Sequence, residues 1–239
     1  MKSKDMSAKI YLIPNLLSET DTEQVIPEHV RQLATGLLHF VVENEKVSRR
    51  FLKKLDRSID IDKLSFYDMG KHSDTRTIAD AISAAKAGHN IGVISDAGCP
   101  GVADPGSEFI SMAHQAGLEV VPLVGPSSIL LTLMASGLNG QRFTFHGYLP
   151  KERSDRTKYI KTMTQSISRD HSTHLFMDTP FRNMNLLEDV LSVCPNELRL
   201  CIARDITGPQ ELIQTRSIEA WKKQKINLHK IPALFALGY

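Results

Sequence analysis

The densest run of special residue types in this 239-residue chain is Ile94-Ser95-Asp96-Ala97-Gly98-Cys99-Pro100-Gly101-Val102-Ala103-Asp104-Pro105-Gly106. Glycine lets a backbone approach a ligand closely or take a left-handed φ, and proline fixes the path of the chain. The run follows a strand-like stretch and precedes a helical one. In an open α/β sheet that is where ligands bind, outside the carboxyl ends of the strands. Asp104 is placed to cap a helix that starts near Ser107. Neither GxGxxG nor GxxxxGKS/T occurs, which disfavours a dinucleotide site, and with it a dehydrogenase, and also a P-loop. Cys99, Cys194 and Cys201 form no CxxC pair and are odd in number, so neither a disulfide framework nor a zinc site is expected.

The elements that must position this run are legible as alternating patterns. Strands are expected over 9–13, 39–42, 90–95, 119–124, 143–145, 174–177, 198–203, 212–215 and 233–237. Between them, 29–38 sets Val30, Leu33, Leu37 and Leu38 on one helical face, and 78–87 does so with Ile78, Ala81, Ile82 and Ala85. Thr75 and Thr77 are expected caps for that second helix and Gly88 its stop; 107–116 followed by Gly117 repeats the design. Such alternation predicts an α/β fold with largely parallel strands, becoming a mixed sheet where 198–203 and 212–215 crowd together. Gly125-Pro126 marks the junction between an N-terminal domain, 1–124, and a C-terminal one, 125–239.

Composition bounds the rest. Apolar residues make up 41% of the chain and charged ones 23%, as in globular proteins. The formal charge is only +2, so a nucleic-acid site would have to be a local patch. Two segments qualify: 46–57 has six basic residues and 151–161 has five. Each reads first as a solvated helix face, and together they permit a phosphate-backbone track. No apolar stretch is long enough to span a bilayer, and the first residues lack the apolar region of a signal peptide; a cytoplasmic protein without a membrane partner is expected.

The run at 94–106 resembles the SDAGTPxxxDPG signature of the tetrapyrrole methylase superfamily, two-domain methyltransferases that use S-adenosylmethionine (SAM). Four more motifs occur in the family's order. Val121-Pro122-Leu123-Val124-Gly125-Pro126-Ser127-Ser128, with Ala135-Ser136-Gly137-Leu138 after it, is similar to PxPGPSA…SGL. Arg142-Phe143-Thr144-Phe145-His146-Gly147-Tyr148-Leu149-Pro150-Lys151 is similar to RFxFxGFLPxK, Met177-Asp178-Thr179-Pro180-Phe181-Arg182 to ESPHR, and Ala203-Arg204-Asp205-Ile206-Thr207 to ARELT. Within the superfamily the likeness is greatest to bacterial enzymes that methylate a cytidine ribose 2′-hydroxyl of small-subunit ribosomal RNA. The N-terminal third departs most. YLVxTPIGNL appears as Tyr11-Leu12-Ile13-Pro14-Asn15-Leu16, AEDTR as Val42-Glu43-Asn44-Glu45-Lys46, and HxHNE as Gly70-Lys71-His72-Ser73-Asp74.

The resemblance implies a SAM-dependent methyltransferase with the cofactor folded between its two domains. Contacts are expected from Asp96, Gly98, Val102, Ala103, Ser127, Ser128, Met177, Ala203 and Pro232. It implies Glu43, His72 and Arg182 as candidates for help at the acceptor: a base or cation for the hydroxyl, and an arginine for a phosphate, although Arg182 can also pair with Asp178. Transfer from a sulfonium is an in-line displacement that needs alignment in a dry cleft and no metal. The implied partners are RNA of the small ribosomal subunit and a second copy in a homodimer. A tetrapyrrole or other small-molecule acceptor, and a non-catalytic SAM-binding homologue, are the alternatives.

Overall fold

The computed structural model describes residues 8–70 and 75–239. They form two compact units, Met1–Pro126 and Ser127–Tyr239, each with its own sheet. The fold is α/β, with a fully parallel sheet in the first unit and a mixed sheet in the second, as expected.

In the first unit five strands are ordered β3-β2-β4-β1-β5, where β1 is Lys9–Leu12, β2 His39–Val42, β3 Ser65–Asp68, β4 Ile91–Ile94 and β5 Glu119–Pro122. A parallel sheet buried on both faces needs strands that are apolar throughout, and all four residues of β4 are buried. After the short α1 (Thr22–Val25), helices α2 (Glu28–Thr35) and α3 (Glu45–Leu55) cover one face, where Val30, Phe51 and Leu52 meet Phe40, Val42 and Ile94. Helices α4 (Thr75–Lys86) and α5 (Gly106–Gln115) cover the other, where Ile78, Ala81, Ile82 and Phe109 meet Ile10, Val41 and Val93. The connection leaving β4 therefore crosses the opposite face from those leaving its neighbours β1 and β2. Such a reversal opens a crevice at the carboxyl ends.

Several local expectations change. The first amphipathic helix stops at Thr35 with Gly36 as its cap, so Leu37 is buried beyond the helix and Leu38 is 55% exposed. The chain must extend there to enter β2, which swings Leu38 off the apolar face. Strand β3, not expected, is a four-residue edge strand with a single partner, three half-buried side chains and an exposed Asp68, too short for alternation to declare it. Thr77 lies inside the first turn of α4 and Thr75 opens that helix, so Thr77 is no cap. Gly88 does stop α4, at φ +98°. Asp104 falls one residue before Pro105, the cap position of α5, and its carboxylate accepts both from the first amide of α5, at Gly106, and from Gly101 in the loop. Among the described residues no helix is long and apolar enough to cross a membrane.

The second unit orders its strands β6-β7-β10-β8-β9: β6 Phe143–Tyr148, β7 Thr173–Met177, β8 Arg199–Arg204, β9 Leu212–Ser217 and β10 Ala233–Gly238. Helices α7 (Arg153–Asp170), α8 (Asn183–Val193) and α9 (Ile218–Lys222) bury Ile160, Leu186 and Trp221 with Phe176, Ile202 and Phe235 on one face. Helix α6 (Ser128–Ser136) covers the other, bringing Leu133 onto Leu175, Cys201, Leu234 and Ala236.

The basic segment 151–161 is only partly a surface feature. Arg156 is 5% exposed, and its Nε donates to Asp189 Oδ2 at 2.8 Å while Nη1 donates to the carbonyls of Pro150 and Lys151. Arg153 Nε donates to the other Asp189 oxygen at 2.9 Å. Two of the five cations therefore clamp α7 to α8 through a carboxylate that is itself buried. Arg156, a desolvated guanidinium with four internal contacts, is not available to RNA, while Lys151, Arg153, Lys158 and Lys161 stay exposed.

A polar chain links β6, β7 and α7. Ser172 Oγ donates to Asp170 Oδ1 at 2.5 Å, so it accepts from His174 Nε2 at 3.0 Å. His174 Nδ1 then accepts from His146 Nε2 at 2.7 Å, and His146 Nδ1 accepts from the Tyr159 hydroxyl at 2.9 Å. Every proton points the same way, which requires both imidazoles to be neutral. Burial, helped by His174, holds His146 down to about 4, and burial also lowers His174.

Two predictions follow from this packing. Asp189→Ala strands the Arg156 charge, and we expect a loss of about 3–5 kcal/mol, read as a lower urea midpoint at unchanged slope; a loss below about 1 kcal/mol contradicts the clamp. In the unfolded chain His146 protonates near its usual pKa of about 6.5, well above its folded value. Stability is therefore full above that pH, falls as the pH drops through the window from about 6.5 to about 4, and levels off below it. His146→Gln should flatten that slope in thermal melts, and an unchanged slope contradicts the assignment.

Candidate functional site

The first unit builds its site at the crevice beside β4. The Asn15 side chain, 3% exposed, donates to the carbonyls of Ser95 at 2.9 Å and Asp96 at 3.2 Å. Its backbone pairs reciprocally with Gly98, at 2.9 and 3.2 Å. From the other side Glu43 Oε2, following β2, accepts the Asp96 amide proton at 3.1 Å. Loops after three adjacent strands thus converge on one short peptide segment. Gly98 sits at φ +69°, and a side chain there would be strained by its backbone and would approach Leu17 Cδ2 to 3.2 Å.

Asp104 finishes the bend from within. Its carboxylate accepts from Gly101 N at 2.8 Å and from Gly106 N at 2.8 Å, so one side chain closes the turn and meets a first-turn amide of α5. Ala103, at φ +62°, is held left-handed inside this loop, a conformation that costs a non-glycine residue of order 1 kcal/mol. What the bend shows outward is an exposed Asp96, whose carboxyl burial pushes up from the usual range, and a 49% exposed Val102. A rigid loop that displays a carboxyl group, an apolar side chain and glycine-flanked peptide groups can grip a ligand that is both polar and apolar.

Sequence reasoning placed Asp96, Gly98, Val102 and Ala103 together, and they share this bend. Glu43 joins them through the Asp96 amide, in a tie that positions the loop. His72 lies outside the described residues. Asn15 and Asp104 do more of the building than was expected of them. An asparagine directly after the first strand was the available signal for Asn15.

The second unit gathers its own set. Met177 and Ala203 both lie opposite Leu234 in the register, from the two strands flanking β10. The carbonyl of Pro232, just before β10, accepts from Asp205 N at 2.9 Å. Helix α6 is anchored at its far end, where Gly137 accepts from Arg199 at the opposite end of β8. It therefore presents Ser127 and Ser128 at the same sheet end as Met177, Ala203 and Pro232. Ser127 Oγ caps the helix by accepting from Leu130 N. Arg182 is close to this end, with its guanidinium engaged by the buried carboxylate of Asp178. Asp178 Oδ2, Arg182 Nε and Thr207 Oγ1 are buried without a hydrogen-bond partner, three unmet polar atoms in the loops following β7 and β8.

The bend of the first unit and the strand ends of the second, each taken by itself, suit parts of SAM. The cofactor has an amino-acid end for peptide and carboxyl groups, an adenine for an apolar slot, and a sulfonium that favours carbonyl oxygens. Among the described residues no cluster of three or more His, Cys, Asp and Glu could hold a metal ion.

No family model matches the chain. It is 31% identical over 148 residues to the ribosomal RNA small subunit methyltransferase I of Synechocystis sp., covering 62% of this chain and 50% of that one. The enzymes of the same name from Haemophilus influenzae (32% over 157 residues, 66% and 54%) and Vibrio cholerae (34% over 143 residues, 60% and 48%) match in the same way. The chain spans about half the length of these relatives. Among solved structures, the methyltransferase CobJ superposes with a TM-score of 0.61 at 16% identity, covering 97% of this chain and 93% of its own. A uroporphyrin-III C-methyltransferase from Thermus thermophilus, complexed with S-adenosylhomocysteine, gives 0.55 at 17% identity, covering 97% of each chain. The chain is therefore related in sequence to small-subunit ribosomal RNA methyltransferases and has the fold of the tetrapyrrole methyltransferases.

Proposed function

We propose that this protein is a SAM-dependent methyltransferase whose acceptor is a ribose 2′-hydroxyl of small-subunit ribosomal RNA. The observation that carries the reading is the bend at 96–106, tied open by Asn15, Glu43 and Asp104 at the crevice beside β4. The relatives' shared name supports the acceptor. In this reading Asp96, Gly98, Val102 and Ala103 contact the donor from the first unit, and Ser127, Ser128, Met177, Ala203 and Pro232 from the second.

SAM bound there would supply an electrophilic methyl group whose transfer to the hydroxyl oxygen leaves a neutral thioether, and the hydroxyl proton would pass to solvent water. The protein holds the donor and excludes water, which accounts for most of the acceleration such a reaction needs. Glu43 fixes the Asp96 peptide and so the donor's seat; Arg182, held by Asp178, keeps the second unit's loop in shape. We read the protein as cytoplasmic, in the compartment of a bacterial ribosomal acceptor. We also read the chain as a homodimer, supported by Leu130 and Met134, an apolar pair one helical turn apart on α6 that is 53% and 78% exposed.

Incubated with labelled SAM and undermethylated small subunits, the protein is expected to label ribose. Gly98→Val should weaken SAM binding, measured by calorimetry, by roughly tenfold or more because it closes the bend. Absence of transfer to ribose overturns the RNA acceptor, and undiminished binding by Gly98→Val overturns the seat at the bend.

A further inference from the structure

Beside the bend, and wholly within the first unit, lies an open groove of about 360 Å3. One wall is the loop at 15–19, another is the face of α3 carrying Val47, Arg50, Phe51 and Lys54, and the groove ends at Asp96 and Ala97. Arg50 and Lys54 are one helical turn apart and so share that face. Two other cations of the segment are committed elsewhere: Arg49 to Glu45, and Lys53 to the carbonyls of Arg57 and Ile59. Arg50 makes no hydrogen bond or ion pair among the described residues.

Glu19 reaches into this charged corner. Its carboxylate meets Lys54 Nζ at 2.6 Å, although its side chain is 86% exposed. The hydrogen bond and charge of Lys54, with a further contribution from Arg50, hold Glu19 below the usual range. Two cations therefore face one anion that is supplied by a solvent-exposed loop. Such an exposed pair contributes little to stability. Leu17, Val47 and Phe51 provide apolar surface alongside. An anion position next to apolar wall, opening onto the donor's bend, has the chemistry of a nucleotide: phosphate for the cations, sugar and base for the wall.

We propose that this groove seats a phosphodiester of the single-stranded RNA flanking the acceptor ribose. Arg50 and Lys54 are its counter-ions, and Glu19 holds the anion position until RNA displaces it. The assignment rests on the methyltransferase reading for its placement beside the donor, yet its test does not.

The probe is a fluorescent single-stranded RNA of ribosomal sequence, titrated by anisotropy at several salt concentrations, with SAM calorimetry on the same proteins. Arg50→Gln with Lys54→Gln should weaken RNA binding roughly tenfold and make the dependence of log K on log salt shallower by about 0.7, the value for one phosphate no longer neutralised on a single strand. Glu19→Gln should tighten binding, and none of the three substitutions should change SAM affinity. Lys222→Gln with Lys223→Gln, which removes the same charge from the C-terminal end and cap of α9, should leave RNA binding within about twofold of the parent. Equal weakening by the two double variants overturns the groove, as does Glu19→Gln binding RNA no better than the parent. Wild-type protein that binds RNA through Arg50 and Lys54 but no SAM overturns the methyltransferase reading and leaves the groove standing.

Discussion

The buried amide of Asn15 carries much of the architecture around the bend. Where the chain leaves β4 it must cross to the face opposite the one used by its neighbours, and a crevice opens whose peptide groups have lost their ladder partners. Buried carbonyls without partners are costly. Asn15 satisfies two of them with one side chain and aligns its own backbone against Gly98. Glu43 takes the adjacent N–H, and Asp104 closes the turn at its far end. The bend is thus rigid without being filled, and the outward side of its peptide groups is left for a ligand.

The two basic segments show how the same composition leads to different uses. In 151–161, Arg156 is drawn inward because α7 and α8 share a buried carboxylate, and the cation becomes part of the packing. In 46–57 the helix is amphipathic, with Phe51, Leu52 and Leu55 buried, so Arg50 and Lys54 are left on the rim of the groove. Charge counting treats these segments alike. The position of Asp189, 33 residues beyond Arg156, decides between them.

Strands buried on both faces announced themselves through apolar runs, and β4 with its following bend was legible almost residue by residue. So was the face of α4, because Ile78, Ala81, Ile82 and Ala85 repeat at helical spacing and all meet the core. What the sequence concealed depends on distant partners. Strand β3 exists because β2 offers it an edge, the Tyr159–His146–His174–Ser172–Asp170 chain needs α7 folded against β6 and β7, and the Asp178 contact of Arg182 needs the turn after β7. Motif order pointed to the bend; only the fold shows that Asn15 and Asp104 build it.

The central claim is that the bend holds the methyl donor, and backbone amide NMR reports on it directly. During titration with S-adenosylhomocysteine, the amide resonances of Asp96, Gly98, Val102 and Ala103 should shift along one saturating curve. Saturable binding that leaves those four amides unmoved would contradict the account.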